Sequence, residues 1–275
     1  MKKSRITFIG CGNMGRSLIG GLIANGLPKN FITGTDINAE QRQTTASQYN
    51  IEVLEDNQQA IKDADVVVLA VKPQSMKDTL NPIKETLSLG NPLLISIAAG
   101  IKLSHLGKWA GEDLAIVRVM PNTPALIQAG ATALCANMHT SDTQRDLAET
   151  IMRSVGLALW LDDEKLMDTV TALSGSGPAY YFLIMEIMEK AASQLGLPQD
   201  QARILTLQTA FGAAKMALES SDDAESLRKQ VTSPGGTTEQ ALNVLINGGI
   251  EDLFRDALEA AQKRSAELAA SLGGK

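Results

Sequence analysis

The chain is poor in the residues that usually bind metals or form covalent bridges. It has 275 residues, of which only two are cysteines and two are histidines, and aromatic residues make up 4%. Cys11 and Cys135 stand far apart and belong to no paired motif, so they predict neither a disulfide framework nor a metal site. His105 and His139 lack the His-Glu-x-x-His spacing of zinc enzymes. We therefore expect no metal ion and few candidates for a histidine acid or base.

Long apolar runs are absent as well. No stretch of eighteen or more apolar residues occurs, so a membrane-spanning helix is not expected. Residues 1–5 include two lysines, but the apolar stretch and the cleavage site of a signal peptide do not follow them. The net charge of -6 comes without a basic stripe, which argues against nucleic acid as a partner. These features predict a cytoplasmic protein with neither a membrane nor a nucleic-acid partner.

Residues 1–162 alternate between strand-like and helix-like segments. The clearest strand is Asp65-Val66-Val67-Val68-Leu69-Ala70-Val71, a continuous run rich in β-branched residues that is typical of a buried parallel strand. Other strands are predicted at residues 5–9, 31–35, 93–97 and 114–120, and helices at residues 14–25 and 41–49. Repeated strand-helix-strand units predict an α/β fold, in which a parallel sheet with right-handed crossovers carries helices on both faces.

Residues 163–275 differ, because strand-like runs give way to segments with helical periodicity. Helices are predicted at residues 178–195, 199–220, 238–246 and 251–272. The first is apolar on nearly all sides around Tyr180-Tyr181-Phe182-Leu183-Ile184, so it must be buried by its own domain or by a partner subunit. We therefore predict two domains: an N-terminal domain of residues 1–162 with the parallel sheet, and an all-helical C-terminal domain of residues 163–275.

A glycine-rich loop, Gly10-Cys11-Gly12-Asn13-Met14-Gly15, connects the first predicted strand to the first helix. In a Rossmann-type dinucleotide-binding fold, the first glycine of this G-x-G-x-x-G pattern allows a tight turn. The second lets the pyrophosphate approach the backbone, and the third lets the helix pack against the sheet. The phosphates bind to free N–H groups at the positive N-terminus of the helix. An acid about twenty residues further on, Asp36, favours this interpretation over an ordinary tight turn.

Asp36, at the end of the second predicted strand, bears on the choice of cofactor. A carboxylate there accepts hydrogen bonds from the adenosine ribose and repels a 2′-phosphate, which favours NADH over NADPH. Arg42 is near enough in the sequence to offset that charge, or it is simply a solvated helix residue. Two further segments, Ala70-Val71-Lys72-Pro73 and Ile97-Ala98-Ala99-Gly100, end predicted strands and are expected to lie along the cofactor, although each also fits a plain turn.

A second glycine-rich loop, Ser233-Pro234-Gly235-Gly236-Thr237-Thr238, precedes a predicted helix. Unpaired N–H groups and hydroxyls at the positive end of a helix form an anion site that fits a carboxylate. The same residues fit a helix cap, in which Thr237 or Thr238 bonds only to its own helix. A third loop, Ser174-Gly175-Ser176-Gly177-Pro178, is more typical of a packing turn than of a binding site.

These motifs together resemble pyrroline-5-carboxylate reductase, a family of enzymes that make proline by reducing a cyclic imine. The resemblance covers nearly the whole chain, and its most specific segment is the Ser-Pro-Gly-Gly-x-Thr loop at residues 233–238. The other matching motifs are Phe8-Ile9-Gly10-Cys11-Gly12-Asn13-Met14, Ala70-Val71-Lys72-Pro73, Met120-Pro121-Asn122-Thr123-Pro124 and Leu173-Ser174-Gly175-Ser176-Gly177-Pro178-Ala179-Tyr180. The resemblance implies hydride transfer from NADPH or NADH to the C=N bond of 1-pyrroline-5-carboxylate. It also implies helical domains that intertwine into homodimers, which often assemble further into rings.

The resemblance implies roles for individual residues. The amides around Ser233, Gly236 and Thr237 are expected to bind the substrate carboxylate, and the Thr238 hydroxyl is expected to bond to the ring nitrogen. Glu164 is expected to lie near the substrate. The residues expected to contact the cofactor, with Asn57 at its adenosine end, are Gly10, Cys11, Gly12, Asn13, Met14, Asp36, Asn57, Ala70, Val71, Lys72, Pro73, Ala98 and Ala99.

Two departures from the family pattern and two alternative functions stay open at this point. The family often has a small hydroxyl residue where Asp36 stands, and Gln230 stands where relatives can have asparagine, so we give Gln230 no role. A hydroxyacid dehydrogenase of similar build would use a helix lysine, for which Lys190 and Lys215 are available, although neither lies in a matching motif. The other alternative is a non-catalytic sensor that binds NAD(P) without turnover.

Overall fold

The computed structural model of the chain describes residues 4–273. The chain divides into two compact units, one of Met1–Ser176 with Ala261–Lys275 and the other of Gly177–Ala260. Among residues 4–273, no helix is both long and apolar enough to cross a membrane.

An eight-stranded sheet, with the order β3-β2-β1-β4-β5-β6-β7-β8, forms the frame of the first unit. Its strands are β1 (Ile6–Ile9), β2 (Ile32–Thr35), β3 (Glu52–Leu54), β4 (Val66–Leu69), β5 (Leu93–Ser96), β6 (Ile116–Met120), β7 (Gly130–Ala136) and β8 (Gly156–Trp160). The strands from β1 to β6 pair in parallel. The predicted α/β fold with a Rossmann-type sheet is therefore confirmed.

One pairing differs from the predicted all-parallel sheet. Strand β7 runs antiparallel to β6, and β8 is parallel to β7. Between β6 and β7 the chain forms only a short 3₁₀ turn, Thr123–Ile127. A parallel connection needs a crossover of a dozen residues or more. This segment is too short for that, so the chain reverses direction.

The α-helices flank the sheet and form the second unit. The first unit contains α1 (Asn13–Ala24), α2 (Ala39–Tyr49), α3 (Asn57–Ile61), α4 (Met76–Leu80), α5 (Lys84–Gly90), α6 (Leu103–Ala110), α7 (Asp142–Arg153) and α8 (Met167–Val170). The second contains α9 (Gly177–Gln194), α10 (Gln199–Glu219), α11 (Ala224–Gln230) and α12 (Thr237–Asn247). The last helix, α13 (Ile250–Gly273), contributes residues to both units.

The central strands are buried on both faces, as parallel strands covered by helices should be. Every residue of β1, β4 and β5 is buried. One apolar cluster includes Leu18 of α1 and Ile151 of α7, and a second includes Leu87 of α5 and Trp109 of α6. This doubly covered sheet gives the loops at the carboxyl ends of its strands a fixed support.

The helices of the second unit carry many apolar side chains that its own packing leaves exposed. Helices α9 and α10 pack against each other. Even so, Tyr181, Phe182 and Ile187 of α9 and Leu205 and Phe211 of α10 are each more than half exposed. The expectation that α9 needs burial on several sides is therefore not met by the helices of its own unit.

The predicted division after residue 162 placed α8 and all of α13 in the helical domain. In the structure, α8 and Ala261–Lys275 belong to the same compact unit as the sheet. Two side-chain hydrogen bonds join them there: Ser265 Oγ donates to Asp168 Oδ1 at 2.7 Å, and Gln262 Nε2 to Thr169 Oγ1 at 2.6 Å. The division by function remains a prediction.

Candidate active site

The loop Gly10-Cys11-Gly12-Asn13-Met14-Gly15 leaves β1 in a tight turn that requires its first glycine. Gly10 has a φ of +100°, and a Cβ there would lie 2.6 Å from the carbonyl oxygen of Ala70. A Cβ on Gly15 would lie 2.4 Å from the carbonyl oxygen of Gly10. Both positions therefore exclude a side chain, and they hold the N-terminus of α1 close to the ends of β1 and β4.

Gly12 is different, because the protein itself leaves room for a side chain there. A Cβ added at Gly12 has no heavy atom within 4 Å, and its φ of −69° suits any residue. Gly12 is the N-cap of α1, and no acidic residue lies in the first turn of that helix. An open cradle at a positive helix end, without its own negative charge, fits the pyrophosphate of a dinucleotide.

Asp36 follows β2 and is tied to the glycine loop. Its Oδ2 accepts a hydrogen bond from the Cys11 N–H at 2.9 Å, and its Oδ1 accepts one from the Asn38 N–H at 2.8 Å. These bonds fix the carboxylate beside the loop, where it meets the adenosine ribose in folds of this type.

Arg42, on α2, does not cancel the charge of Asp36 directly. Its Nη1 donates to the carbonyl oxygens of Asp36 at 2.8 Å and Ile37 at 3.1 Å, and its Nη2 pairs with Glu55 at 2.9 Å. The side chain is only 20% exposed. Arg42 is therefore neither a solvated residue nor the partner of the Asp36 carboxylate, but a brace for the turn after β2.

The residues at the ends of β1, β2 and β4 line one cleft of about 390 Å³, which we call the adenosine cleft. Seven of the predicted cofactor residues share it: Gly10, Gly12, Asp36, Asn57, Ala70, Val71 and Lys72. Asn57 is oriented by Thr35, whose hydroxyl donates to Asn57 Oδ1 at 2.6 Å. Thr35 is a residue that sequence reasoning missed, although its position at the end of a strand before Asp36 was a usable signal.

Cys11 is held inside the glycine loop as a neutral thiol. Its side chain is buried, and its Sγ donates to the Thr35 carbonyl oxygen at 3.5 Å. Burial, with the negative charge of Asp36, raises the pKa of the Cys11 thiol to about 11. The side chain therefore serves packing, and the contact of Cys11 with the cofactor remains a prediction.

The loop Ser233-Pro234-Gly235-Gly236-Thr237-Thr238 ends at the start of α12. Gly236 is the N-cap of that helix, so neither Thr237 nor Thr238 occupies the capping position. Gly235 has a φ of +71°, in the left-handed region that favours glycine. The helix therefore begins without a capping hydroxyl, which favours the anion-site interpretation over the cap.

Two backbone donors of this loop already have partners. The Gly236 N–H donates to the Ser233 carbonyl oxygen at 3.0 Å, and the Gly235 N–H donates to Glu239 Oε2 at 2.8 Å. The predicted role of the Gly236 amide therefore requires its turn to open or to share its donor. Glu239, which sequence reasoning missed, holds the loop from within α12.

Glu164 is the counter-ion of a buried arginine. Its Oε1 accepts hydrogen bonds from Arg118 Nη1 at 2.8 Å and from the Leu103 N–H at 2.8 Å. The Arg118 side chain is only 5% exposed, and a buried charge needs such a partner. The sequence indicates such a pair only through Arg118, a single arginine inside the apolar strand Ile116-Val117-Arg118-Val119-Met120. The predicted place of Glu164 near the substrate remains a prediction.

The residues that the alternative functions would use are engaged in ordinary structural contacts. Lys190 pairs with Glu186 and Lys215 with Glu219, each one turn along its own exposed helix. Among the described residues, no cluster of three or more histidine, cysteine, aspartate or glutamate side chains could hold a metal ion. Neither Lys190 nor Lys215 therefore stands out as the base that a hydroxyacid dehydrogenase would need.

Two family models match the chain. Residues 5–100 match a model described as NADP oxidoreductase coenzyme F420-dependent. Residues 164–268 match a model described as pyrroline-5-carboxylate reductase dimerisation. The first match covers the glycine loop, Asp36 and the adenosine cleft, and the second covers the Ser233–Thr238 loop.

Similar proteins cover the whole chain. A pyrroline-5-carboxylate reductase of Pseudomonas aeruginosa is 51% identical over 273 residues, 99% of this chain and 100% of that protein. The structure of a pyrroline-5-carboxylate reductase from Coxiella burnetii matches with a TM-score of 0.94 at 48% identity, covering 97% of this chain and 99% of that one. A Plasmodium falciparum pyrroline carboxylate reductase with NADP bound matches with a TM-score of 0.86 at 32% identity, covering 98% and 99%.

These relatives span the residues that both family models match. The chain belongs to the pyrroline-5-carboxylate reductase family, and its predicted function, reduction of 1-pyrroline-5-carboxylate to proline by NAD(P)H, is confirmed.

Proposed function

We propose that each unit supplies one half of this reaction, and that the Ser233–Thr238 loop selects the substrate. The observation that carries the proposal is that the N-cap of α12 is Gly236, so no side-chain hydroxyl caps the helix. Unpaired amides at a helix N-terminus bind a carboxylate, which a cyclic imino acid carries and a simple imine does not.

The first unit would hold the cofactor. The amides of Asn13 and Met14, at the start of α1, face the pyrophosphate, and Gly12 lets it approach. Asp36 and Asn57 would hold the adenosine end, with Ala70, Val71 and Lys72 in the same cleft. Pro73 and Ala99 would line the nicotinamide end, whereas Ala98 is buried in the core and lines neither cleft. When bound, NAD(P)H supplies the hydride that the imine carbon accepts.

The second unit would hold the substrate. The amides around Ser233, Gly236 and Thr237 would bind the carboxylate, for which the Gly236 N–H must leave or share its bond to the Ser233 carbonyl oxygen. Glu239 keeps the loop in place through Gly235. The Thr238 hydroxyl bonds to the ring nitrogen, where a hydroxyl can act as donor or acceptor while the imine becomes an amine. A protonated imine is already electrophilic, so the residues need only place it. The scarcity of histidine is therefore no obstacle.

The same proposal assigns residues 1–162 to the dinucleotide and residues 163–275 to substrate binding and dimerisation, with Glu164 near the substrate. It also places the protein in the cytoplasm. The sensor alternative is disfavoured, because a protein that only binds NAD(P) has no use for a second anion site with an adjacent hydroxyl.

We further propose that the chain forms a homodimer through its helical unit, and that dimers can build a larger ring. The exposed apolar side chains of α9 and α10 support this, because an apolar surface of that extent marks an interaction site. Light scattering is expected to give twice the chain mass of 29.3 kDa or an even multiple of it. A single-chain mass at all concentrations would contradict the proposal.

The test of the reaction follows the absorbance of NADH and NADPH during incubation with 1-pyrroline-5-carboxylate. We expect oxidation of both cofactors, with a higher kcat/KM for NADH because Asp36 faces the ribose. Hydroxyacids tested in the reverse direction are expected to give no reduction of NAD(P). Reduction of NAD(P)+ by a hydroxyacid, or no oxidation of either cofactor with 1-pyrroline-5-carboxylate, would contradict the reductase assignment.

Asp36→Ser is the control for the cofactor half of this assay. Serine removes the charge and keeps a hydroxyl, which lies one bond nearer the backbone than the Asp36 oxygen that accepts the Cys11 N–H. A unit charge near a phosphate changes the energy by about 1–4 kcal/mol, so the NADPH-to-NADH ratio of kcat/KM should rise by about tenfold or more. If the NADPH-to-NADH ratio of kcat/KM does not change, Asp36 does not interact with the ribose.

A further inference from the structure

A second cleft of the first unit, about 340 Å³ in volume, lies at the carboxyl ends of β4 and β5. We call it the nicotinamide cleft, and its lining includes Pro73, Ala99, Gly100, Thr171, Ser176 and Leu268. Pro73 follows directly on Lys72, which lines the adenosine cleft, so the two clefts are neighbours along the strand ends. In Rossmann-type sheets a dinucleotide crosses the point where the strand order reverses, with its halves on either side.

One wall of the nicotinamide cleft is a π-helical turn, Thr171–Gly175, which continues α8. The Ser176 N–H closes it by donating to the Thr171 carbonyl oxygen at 2.8 Å, so both ends of the turn line the cleft. π-helical turns are rare in proteins, and those that occur are often found at functional sites. The wider winding takes backbone groups out of the regular helical ladder, and they need other partners.

Asn122 supplies one of those partners. Its Nδ2 donates to the Ser174 carbonyl oxygen, inside the π turn, at 3.1 Å. Its Oδ1 accepts from the Ala131 N–H, at the start of β7, at 2.9 Å. A single half-buried amide therefore connects the end of β6, the start of β7 and the π turn. This bridge is a structural role for Asn122 of the Met120-Pro121-Asn122-Thr123-Pro124 motif, which has no role in the proposed reaction.

Two glycines mark what lies on either side of the nicotinamide cleft. A Cβ on Gly175 would lie 2.4 Å from Cε of Met120, so the turn rests directly on the end of β6. On the opposite wall, a Cβ on Gly100 would lie 3.5 Å from Leu272 Cδ1 and 3.6 Å from the backbone nitrogen of Ala269. The cleft is thus preformed between the π turn and the end of α13.

We infer that Asn122 is a positioning residue: it holds the π turn in the place where Thr171 and Ser176 form the wall against which the nicotinamide ring is set. The inference rests on the proposed function of the first unit. Asn122 touches neither substrate nor cofactor in this assignment, and acts only through the π turn.

Asn122→Asp tests the inference with the smallest change. Aspartate keeps the oxygen that accepts the Ala131 N–H, but replaces the donor to Ser174 with an oxygen that its carbonyl repels. Asn137 is a matched control at the other end of β6, where its Oδ1 accepts the Ile116 N–H at 3.1 Å and its Nδ2 donates to the Leu114 carbonyl oxygen at 2.8 Å. Asn137→Asp loses the same kind of bond far from the cleft.

Binding is measured by calorimetry with NADH and with ADP-ribose, which lacks the nicotinamide ring and leaves its cleft empty. We expect Asn122→Asp to raise the Kd of NADH about fivefold, the worth of one net hydrogen bond, with the Kd of ADP-ribose unchanged. Displacement of the ring should also lower kcat by about tenfold. Asn137→Asp should lower the melting temperature without changing either Kd or kcat.

Asn122→Ala is a second variant, which removes both hydrogen bonds of the side chain, and we expect the same selective weakening of NADH. The inference would be overturned if the Asn122 variants weakened the binding of NADH and ADP-ribose equally, or weakened neither. It would also be overturned if Asn137→Asp gave the same selective loss of NADH binding. A wild-type protein that binds both ligands but does not oxidise NADH with 1-pyrroline-5-carboxylate would overturn the proposed function instead.

Discussion

Replacing Gly12 by alanine should strongly weaken the binding of NAD(P)H while leaving the fold intact. The protein offers the new methyl group open space and an allowed φ, so no atom of the chain needs to move. The pyrophosphate, by contrast, has to approach the backbone at this point. Loss of one hydrogen bond to a charged group costs about 1.5–3 kcal/mol. The Kd of NADH should therefore rise by about ten- to hundredfold.

The measurement is a calorimetric titration with NADH, together with a thermal melt. Gly90→Ala is the matched control, because Gly90 lies in α5 and a Cβ there would make only an ordinary contact, 3.8 Å from Pro92 Cδ. We expect wild-type affinity from the control and wild-type melting from Gly12→Ala. A Gly12→Ala protein that binds NADH normally would show that the loop does not hold the pyrophosphate.

Replacing Thr238 by alanine should lower turnover of 1-pyrroline-5-carboxylate by about a hundredfold, at the lower end of what a positioned proton donor or acceptor contributes. The reason is that the ring nitrogen loses its hydrogen-bond partner when the imine becomes an amine. Binding of NADH should not change, because the cofactor residues belong to the other unit. Steady-state kinetics and the Kd of NADH measure the two effects separately.

Thr238→Ser is the control for this variant, since it keeps the hydroxyl and removes only a methyl group. Its kcat should stay near that of the wild type. Thr238 does not cap α12, so its replacement by alanine should leave the helix stable. Wild-type kcat/KM in the alanine variant, or an equal loss in the serine variant, would show that the hydroxyl has no part in the reaction.

The sequence predicted the fold well wherever hydrophobic periodicity or glycine spacing was strong. β1, β4 and β5 are short apolar runs between turn residues, and α9, α10 and α13 lie within a residue or two of their predicted limits. β7 was missed because Gly130-Ala131-Thr132-Ala133-Leu134-Cys135-Ala136 is made of small residues without clear alternation. β3 has only three residues, and its edge position gives it little apolar signal.

The site was predictable as two loops but not as a set of contacts. The glycine spacing indicated the place of the pyrophosphate, and Asp36 indicated the ribose. That Asp36 bonds to the Cys11 N–H, or that Arg42 braces two carbonyl oxygens, depends on side-chain directions that no local pattern contains. The pair of Arg118 and Glu164 and the bridge made by Asn122 are long-range contacts between residues that give little sign of each other in the sequence.

The packing of the end of α13 in the first unit has a consequence for folding during synthesis on the ribosome. A dinucleotide-binding domain made of one continuous segment could fold as soon as it left the exit tunnel. Here Ala261–Lys275 completes the first unit, and Ala269 is fully buried in it. The first unit is therefore discontinuous in sequence, and its last helical segment can pack onto it only after the whole of the second unit has been translated. The nicotinamide cleft, which Leu268 and Leu272 help to line, is therefore completed only after the second unit has been synthesised.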